Sequence, residues 1–318
     1  MEGLLPATTN QIHSSNNQQS IEEILGLRYT KIPFTTLYAE GRWTEQSIDL
    51  HERETVDGST TAPGAFKRVT DTDVTRQDYR VGFNTSPMRR LSLAGRYRRA
   101  MYDNAYDNEV DTVAGYPAFI RGQDFTTDEV MGRFTVRPHT RVSLAFTYQL
   151  IQTKIDTATD EVPSVVPKGS RQTGDYQSSV YSVSTTVTPL SRLYLTGLFS
   201  YQDTHTSTFD NNNPSVISYR GSVYTVVTTA GYALDNKTDL TAQYVYSRAD
   251  NFKDNSADGL PLGLDNQRTA VLVGLQRKIT DNIIARVRYG YYENNESSNG
   301  GVDNYTANLA SASCTMRF

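Results

Sequence analysis

A chain of 318 residues is long enough for two ordinary globular domains, yet only 37% of it is hydrophobic and its mean hydropathy is −0.53, which excludes large buried apolar cores. Its 21 Tyr and 11 Phe, with many Val and Thr, exclude the aromatic-poor composition of a disordered chain, and a net charge of −4 with interspersed Lys and Arg excludes a nucleic-acid-binding surface. The lack of any run of about 18 apolar residues excludes a transmembrane helix, and a single cysteine, Cys314, excludes an internal disulfide framework, a multi-thiolate metal site and a covalent c-type haem.

The chain opens Met1-Glu2-Gly3-Leu4-Leu5-Pro6 and turns polar, without the basic start and apolar stretch of a secretory signal. A hairpin repeat then sets in, in which an alternating run meets a tight turn and a second alternating run leads away. The expected turns are Lys31-Ile32-Pro33, Thr85 to Arg89, Arg137 to Thr140, Thr188 to Ser191, Leu234 to Lys237 and Thr280 to Asn282. They fall roughly 45 to 55 residues apart, the length of two membrane-crossing strands plus a polar loop. Three share a Pro-x-x-Arg pattern, at Pro87, Pro138 and Pro189, where a turn tolerates the missing N–H.

Between the turns the alternation is strict. Val142, Leu144, Phe146, Tyr148 and Leu150 oppose Ser143, Ala145, Thr147 and Gln149, and Leu193, Leu195, Gly197, Phe199 and Tyr201 repeat the pattern. Ile283, Ala285, Val287, Tyr289 and Tyr291 alternate with Arg286, Arg288 and Gly290. A period of two over about ten residues is a strand long enough to span a bilayer when tilted. Residues 55–73, 103–121, 156–174, 208–216, 252–263 and 293–303 are rich in Asp, Asn, Ser, Thr and Gly and are expected to be long outer loops opposite short periplasmic turns.

The fold class is therefore all-β: a transmembrane antiparallel up-and-down β-barrel with about thirteen strands visible from Ile24 to Phe318. Residues 1–22 are expected to be a polar outer loop or truncated start, and residues 23–318 to carry the strands. An even-stranded barrel with both ends in the periplasm needs at least one strand more, so the chain is expected to be part of a larger barrel. Cys314, Met316 and Phe318 alternate at the end like the C-terminal insertion signal of barrel proteins, with Met316 and Phe318 as its apolar positions; the bland reading is an edge strand of a soluble sheet.

On the polar face the candidates are Arg28, Glu40, Arg42, Arg80, Arg96, Arg98, Arg133, Arg286 and Arg288, expected to point into a lumen. As a set they suggest an interior that attracts anions or clasps an acidic insert; singly, each is equally a solvated wall residue paired with a loop carboxylate. On the apolar face Trp43, Tyr97, Tyr148, Tyr201, Tyr246 and Tyr291 are expected to form membrane-interface aromatics toward the outer-loop ends of the strands, the alternative being packing in a sandwich.

Catalytic and metal motifs are absent: no G-x-S-x-G, Walker loop, H-E-x-x-H or Gly-rich dinucleotide turn. His13, His51, His139 and His205 have no metal-ligand spacing, and Asp103, Asp107, Glu109 and Asp111 lack the spacing and glycine of a calcium loop. No enzyme activity, metal or cofactor of the chain's own is expected.

Tyr232-Ala233-Leu234-Asp235-Asn236-Lys237-Thr238-Asp239-Leu240-Thr241-Ala242-Gln243-Tyr244-Val245-Tyr246-Ser247-Arg248-Ala249-Asp250-Asn251 resembles the strand-turn-strand repeat of the MtrB/PioB family, the decahaem-associated outer-membrane barrels. The hairpins at Pro87, Pro138 and Pro189 and the terminal Met316-Arg317-Phe318 are compatible with it. The resemblance implies a porin-like sheath around a multihaem c-type cytochrome, with haem only in that partner, serving extracellular electron transfer across the outer membrane of a Gram-negative-type bacterium. Lipid bilayer and lipopolysaccharide would be the other partners. The paired cysteines near the N-terminus of some family members have no counterpart here. Two other readings stay open: a general diffusion porin with an Arg-lined, anion-favouring lumen, and a surface adhesion or assembly barrel working through its loops.

Overall fold

The computed structural model describes residues 9–59, 66–109, 120–159, 171–210, 213–250, 265–297 and 300–317. They form thirteen strands: β1 (Asn10–Tyr29), β2 (Thr35–Val56), β3 (Phe66–Met88), β4 (Leu91–Glu109), β5 (Ile120–His139), β6 (Val142–Thr159), β7 (Arg171–Leu190), β8 (Leu193–Asp210), β9 (Asn213–Ala233), β10 (Thr238–Asp250), β11 (Asp265–Lys278), β12 (Ile283–Glu296) and β13 (Tyr305–Met316). They make one sheet in sequence order, β1 to β13, each strand antiparallel to its neighbours. β1 and β13 are not paired with each other, so the sheet is open. No described helix is long and apolar enough to cross a membrane, which leaves crossing by strands untouched.

The cross-strand register carries each side-chain face unbroken around the sheet, because directly opposed residues point the same way. One row runs Gly95, Gly132, Tyr148, Tyr181, Tyr201, Tyr224. A row on the other face runs Glu40, Arg80, Arg98, Glu129, Ile151, Ser178, Thr204. The two faces are inverted relative to a soluble protein. Phe83, Phe146, Tyr181, Phe199 and Val287 on the apolar face are 40–57% exposed, whereas Glu129 and Ser178 on the polar face are 6% and 1% exposed. Val74, Ala100 and Ala145 are the buried hydrophobic residues among those described, and they too lie on the polar face. Crowding of small and polar groups on one side, with bare aromatics and aliphatics on the other, is the arrangement of a barrel wall whose outer solvent is lipid.

Two expectations change. β1 begins at Asn10, so residues 10–22, read from composition as loop, continue the strand; their polar pattern lacks the apolar alternation because no lipid face is required there. Most of the six presumed loops are also shorter than composition indicates. Residues 55–56, 66–73, 103–109, 120–121, 156–159, 171–174, 208–210, 213–216 and 293–296 are strand, and residues 252–263 lie outside the described residues, as does Phe318. β1 to β9 have 18–23 residues each, about twice what a bilayer takes, so their upper halves stand clear of it.

The three prolines sit not in the turn tips but in bulges. The register shifts between Thr85 and Met88, between Val136 and His139 and between Val187 and Leu190, at Pro87, Pro138 and Pro189. Proline cannot donate to the ladder, so each hairpin skips it just before the turn. The arginine three residues on then joins successive hairpins: the carbonyls of Arg90, Arg141 and Arg192 accept the backbone N–H of Arg137, Thr188 and Ala233 at 2.8–2.9 Å.

Candidate functional site: the lumen face

All nine residues predicted to line the lumen fall on the polar face. The structure does not leave them as an open field of positive charge. Arg42 pairs with Glu22 at 3.3 Å, and Arg80 with Asp78 at 2.9 Å and Glu40 at 3.7 Å. Arg98 reaches Asp78 at 2.6 Å and Glu129 at 3.8 Å, and Arg96 also pairs with Glu129. Gln149 Nε2 completes the Glu129 shell, donating at 2.9 Å. The result is a belt of paired charge on β1 to β5, made of the Glu22–Arg42 pair and a linked run from Glu40 through Arg80, Asp78, Arg98 and Glu129 to Arg96.

Its acidic members Glu22, Asp78 and Glu129 are the functional residues that sequence reasoning missed. The available signal was face parity: Asp78 lies two residues from Arg80, so both share a face. Glu129 was less legible, since its partners sit on the neighbouring strand and only the β4–β5 register brings them together. Arg28, Arg133 and Arg288 have no carboxylate partner among the described residues. Arg286 Nε donates instead to Gln276 Oε1 at 2.7 Å. The polar face is thus ion-paired at Arg42, Arg80, Arg96 and Arg98 on β2 to β4, and cationic at Arg28 on β1, Arg133 on β5 and around β12.

The six predicted interface aromatics all lie on the apolar face. Their height differs from the expectation. Tyr97, Tyr148 and Tyr201 sit mid-strand, with β4, β6 and β8 running on to Glu109, Thr159 and Asp210, while Tyr246 and Tyr291 lie near the upper ends of β10 and β12. Tyr148, Tyr181, Tyr201 and Tyr224 form an unbroken aromatic row, with ring centroids 4.9, 6.4 and 4.9 Å apart. Trp43 meets Tyr79 edge-on at 5.6 Å and donates its Nε1–H to the Tyr79 hydroxyl at 3.0 Å. Such rings belong at a headgroup boundary, where an apolar body and a polar tip are both solvated.

Above the aromatic row the outward wall is charged. Asp103, Asp124 and Asp156 stand directly opposite one another on β4, β5 and β6. Burial among its neighbours, then the Asp103 carboxylate, push Asp124 above the usual carboxylate range, whereas hydrogen bonds from Arg171 hold Asp156 below it. No group of acidic, His or Cys side chains fit to hold a metal ion occurs among the described residues. His139 lies at a turn, where Nδ1 accepts the Arg141 N–H at 3.2 Å. Asp111 lies outside the described residues.

No family model matches the chain, and no curated protein is similar to it in sequence. Solved structures are similar in fold. The alcaligin outer-membrane receptor FauA of Bordetella pertussis aligns over 96% of this chain and 55% of its own, with a TM-score of 0.57 at 11% identity. The ferric citrate transporter FecA in its unliganded form aligns over 96% and 55%, with a TM-score of 0.55 at 8% identity. The ferric yersiniabactin uptake receptor FyuA of Yersinia pestis aligns over 98% and 59%, with a TM-score of 0.53 at 12% identity. The chain spans a little over half the length of these structures. At such identities the likeness is one of architecture: the fold is that of an integral outer-membrane β-barrel wall.

Proposed function

We propose that this chain forms the wall of a large outer-membrane β-barrel that encloses and docks a protein insert, and that the insert is a multihaem c-type cytochrome carrying electrons across the outer membrane. The observation that carries the reading is the ion-paired belt. An anion-selective diffusion pore needs arginines free to draw anions, and here four of the eight candidate lumen arginines, Arg42, Arg80, Arg96 and Arg98, are already held by Glu22, Glu40, Asp78 and Glu129. An inner surface that is ion-paired over β2 to β4 and hydrogen-bonding beyond suits a large polar occupant that must be wrapped.

Size agrees. A wall that aligns with a little over half of a receptor chain fits as part of a large barrel, and barrels of about 22 strands have lumens wide enough to hold a plug. The cytochrome as occupant rests on the MtrB/PioB-like hairpin from Tyr232 to Asn251. The chain has one cysteine, Cys314, exposed on β13, too few for the C-x-x-C-H attachment of a covalent haem. On this reading the protein is integral to the outer membrane of a Gram-negative-type bacterium, is not an enzyme, and contributes insulation and docking while its partner contributes redox chemistry.

The test is a visible absorption spectrum of the complete tagged protein purified in mild detergent from its native outer membranes. A Soret band that co-migrates with the barrel in fixed stoichiometry is expected. A haem-free barrel that conducts ions when reconstituted would replace the sheath by a solute porin.

A further inference from the structure

Directly above the tyrosine row, the outward face of β7, β8 and β9 carries two polar rows in register. The first is Ser179, Asp203 and Ser222, and the second is Gln177, His205 and Arg220. Gln177, Ser179, Asp203, His205 and Arg220, with Ser218, line a cleft of about 440 Å³. Arg220 is fixed over it by an ion pair with Asp203 at 3.2 Å, which occupies one guanidinium nitrogen of a group with five donors. His205 stands opposite Arg220, and both are exposed.

We propose that this cleft binds the phosphorylated sugar headgroup of an outer-leaflet glycolipid. The argument is one of vertical order. Tyr181 and Tyr224, 50% and 40% exposed, and the half-buried Tyr201 present their rings at the level where acyl chains end, and a sugar ring packs on such aromatic faces. One residue pair higher, Ser179, Asp203 and Ser222 offer hydroxyl and carboxylate groups that exchange hydrogen bonds with sugar hydroxyls. Two pairs higher, Arg220 and His205 aim guanidinium and imidazole N–H donors into the cleft, and Arg220 keeps donors beyond the one that Asp203 takes, which a phosphate monoester can accept. A zwitterionic phospholipid fills the upper, phosphate-facing row of His205 and Arg220 but leaves the lower, sugar-facing row of Ser179, Asp203 and Ser222 unused. The inference needs only the outward orientation of the apolar face and is independent of what fills the lumen.

The test uses the full protein in phosphatidylethanolamine nanodiscs doped with a bisphosphorylated, acylated glucosamine disaccharide, bound lipid being counted by native mass spectrometry. The wild-type barrel is expected to retain the glycolipid in preference to phosphatidylethanolamine. His205→Ala with Arg220→Ser is expected to weaken retention on the order of tenfold, from the loss of charge-assisted hydrogen bonds. Tyr201→Leu, which keeps the apolar bulk, is expected to weaken it several-fold less. Undiminished retention by the double variant, with its barrel shown folded by heat-dependent gel migration, overturns the proposal. So does equal retention of the dephosphorylated disaccharide lipid. Haem content measured on the same samples reports separately on the lumen reading.

Discussion

Glu129 is the residue on which the lumen belt turns. It is the most enclosed ionisable side chain of the belt, at 8% side-chain exposure, and holds Arg96, Arg98 and Gln149 at once. Removing its charge leaves Arg96 without a carboxylate and Arg98 with Asp78 alone, and because the two guanidiniums are 35% and 29% exposed they recover part of their hydration. Glu129→Gln is therefore expected to cost on the order of 2 kcal/mol, below the cost of breaking a fully buried pair, read as a lowered unfolding midpoint in detergent. The same variant should move the reversal potential of an emptied barrel toward chloride, because Arg96 loses its carboxylate and becomes free to attract anions while Arg98 stays with Asp78. An unchanged reversal potential would mean that the pairing does not set the lumen field. A second residue-scale device is glycine beneath an aromatic ring. A Cβ at Gly231 would lie 2.1 Å from the Tyr194 ring, whereas one at Gly132 would meet nothing within 4 Å. Gly231→Ala should thus cost about 1–3 kcal/mol by overpacking. Gly132→Ala, with open space above it, should leave the unfolding midpoint near that of the wild type. Both glycines read alike in the sequence, since only the fold shows which neighbour covers them.

At the scale of the strand, alternation was legible wherever lipid imposes it. The periods through Val142 to Leu150 and Leu193 to Tyr201 mark β6 and β8 because every second side chain there must be apolar. The same strands continue to Thr159 and Asp210, where both faces meet water and the chain reverts to Thr, Asp and Ser, so composition alone mistakes strand for loop. The proline motifs were legible as punctuation but not as bulges, since a register shift is a relation between two strands. The upper wall also carries a pH dependence. Asp124 lies above the normal carboxylate range because neighbouring groups partly desolvate it and Asp103 faces it, so the folded wall holds this proton more tightly than the unfolded chain. Its contribution is favourable below the unfolded pKa and is lost as pH rises through the folded one. Asp124→Asn should therefore raise the unfolding midpoint at neutral pH, by less than about 1 kcal/mol since the site is open to water, and the gain should vanish below the carboxylate range. A gain of equal size at both pH values would assign the effect to packing instead.

For the molecule as a whole, the inverted burial and the open edges lead to one requirement. The apolar face is exposed from β1 to β13, which is stable only against lipid, and in lipid every backbone polar group must find a partner within protein. Within the thirteen-strand sheet that condition is met for β2 to β12, each flanked on both sides, but β1 and β13 each present one unpaired edge. An unpaired strand edge in hydrocarbon costs several kcal/mol for each orphaned group, far more than a marginally stable domain can absorb. The 318-residue chain on its own is therefore expected to satisfy its edges by association. Refolded into lipid vesicles, it should give oligomers or aggregates, and its β1 and β13 amides should become exchange-protected only when further strands or a second copy are present. A monomer that resists protease and shows heat-dependent gel migration would show that the two edges meet, closing a thirteen-stranded barrel and leaving too narrow a lumen for a multihaem insert. A stable monomer in water would go further and remove the membrane itself, because the exposed row from Tyr148 to Tyr224 would then have no lipid to face.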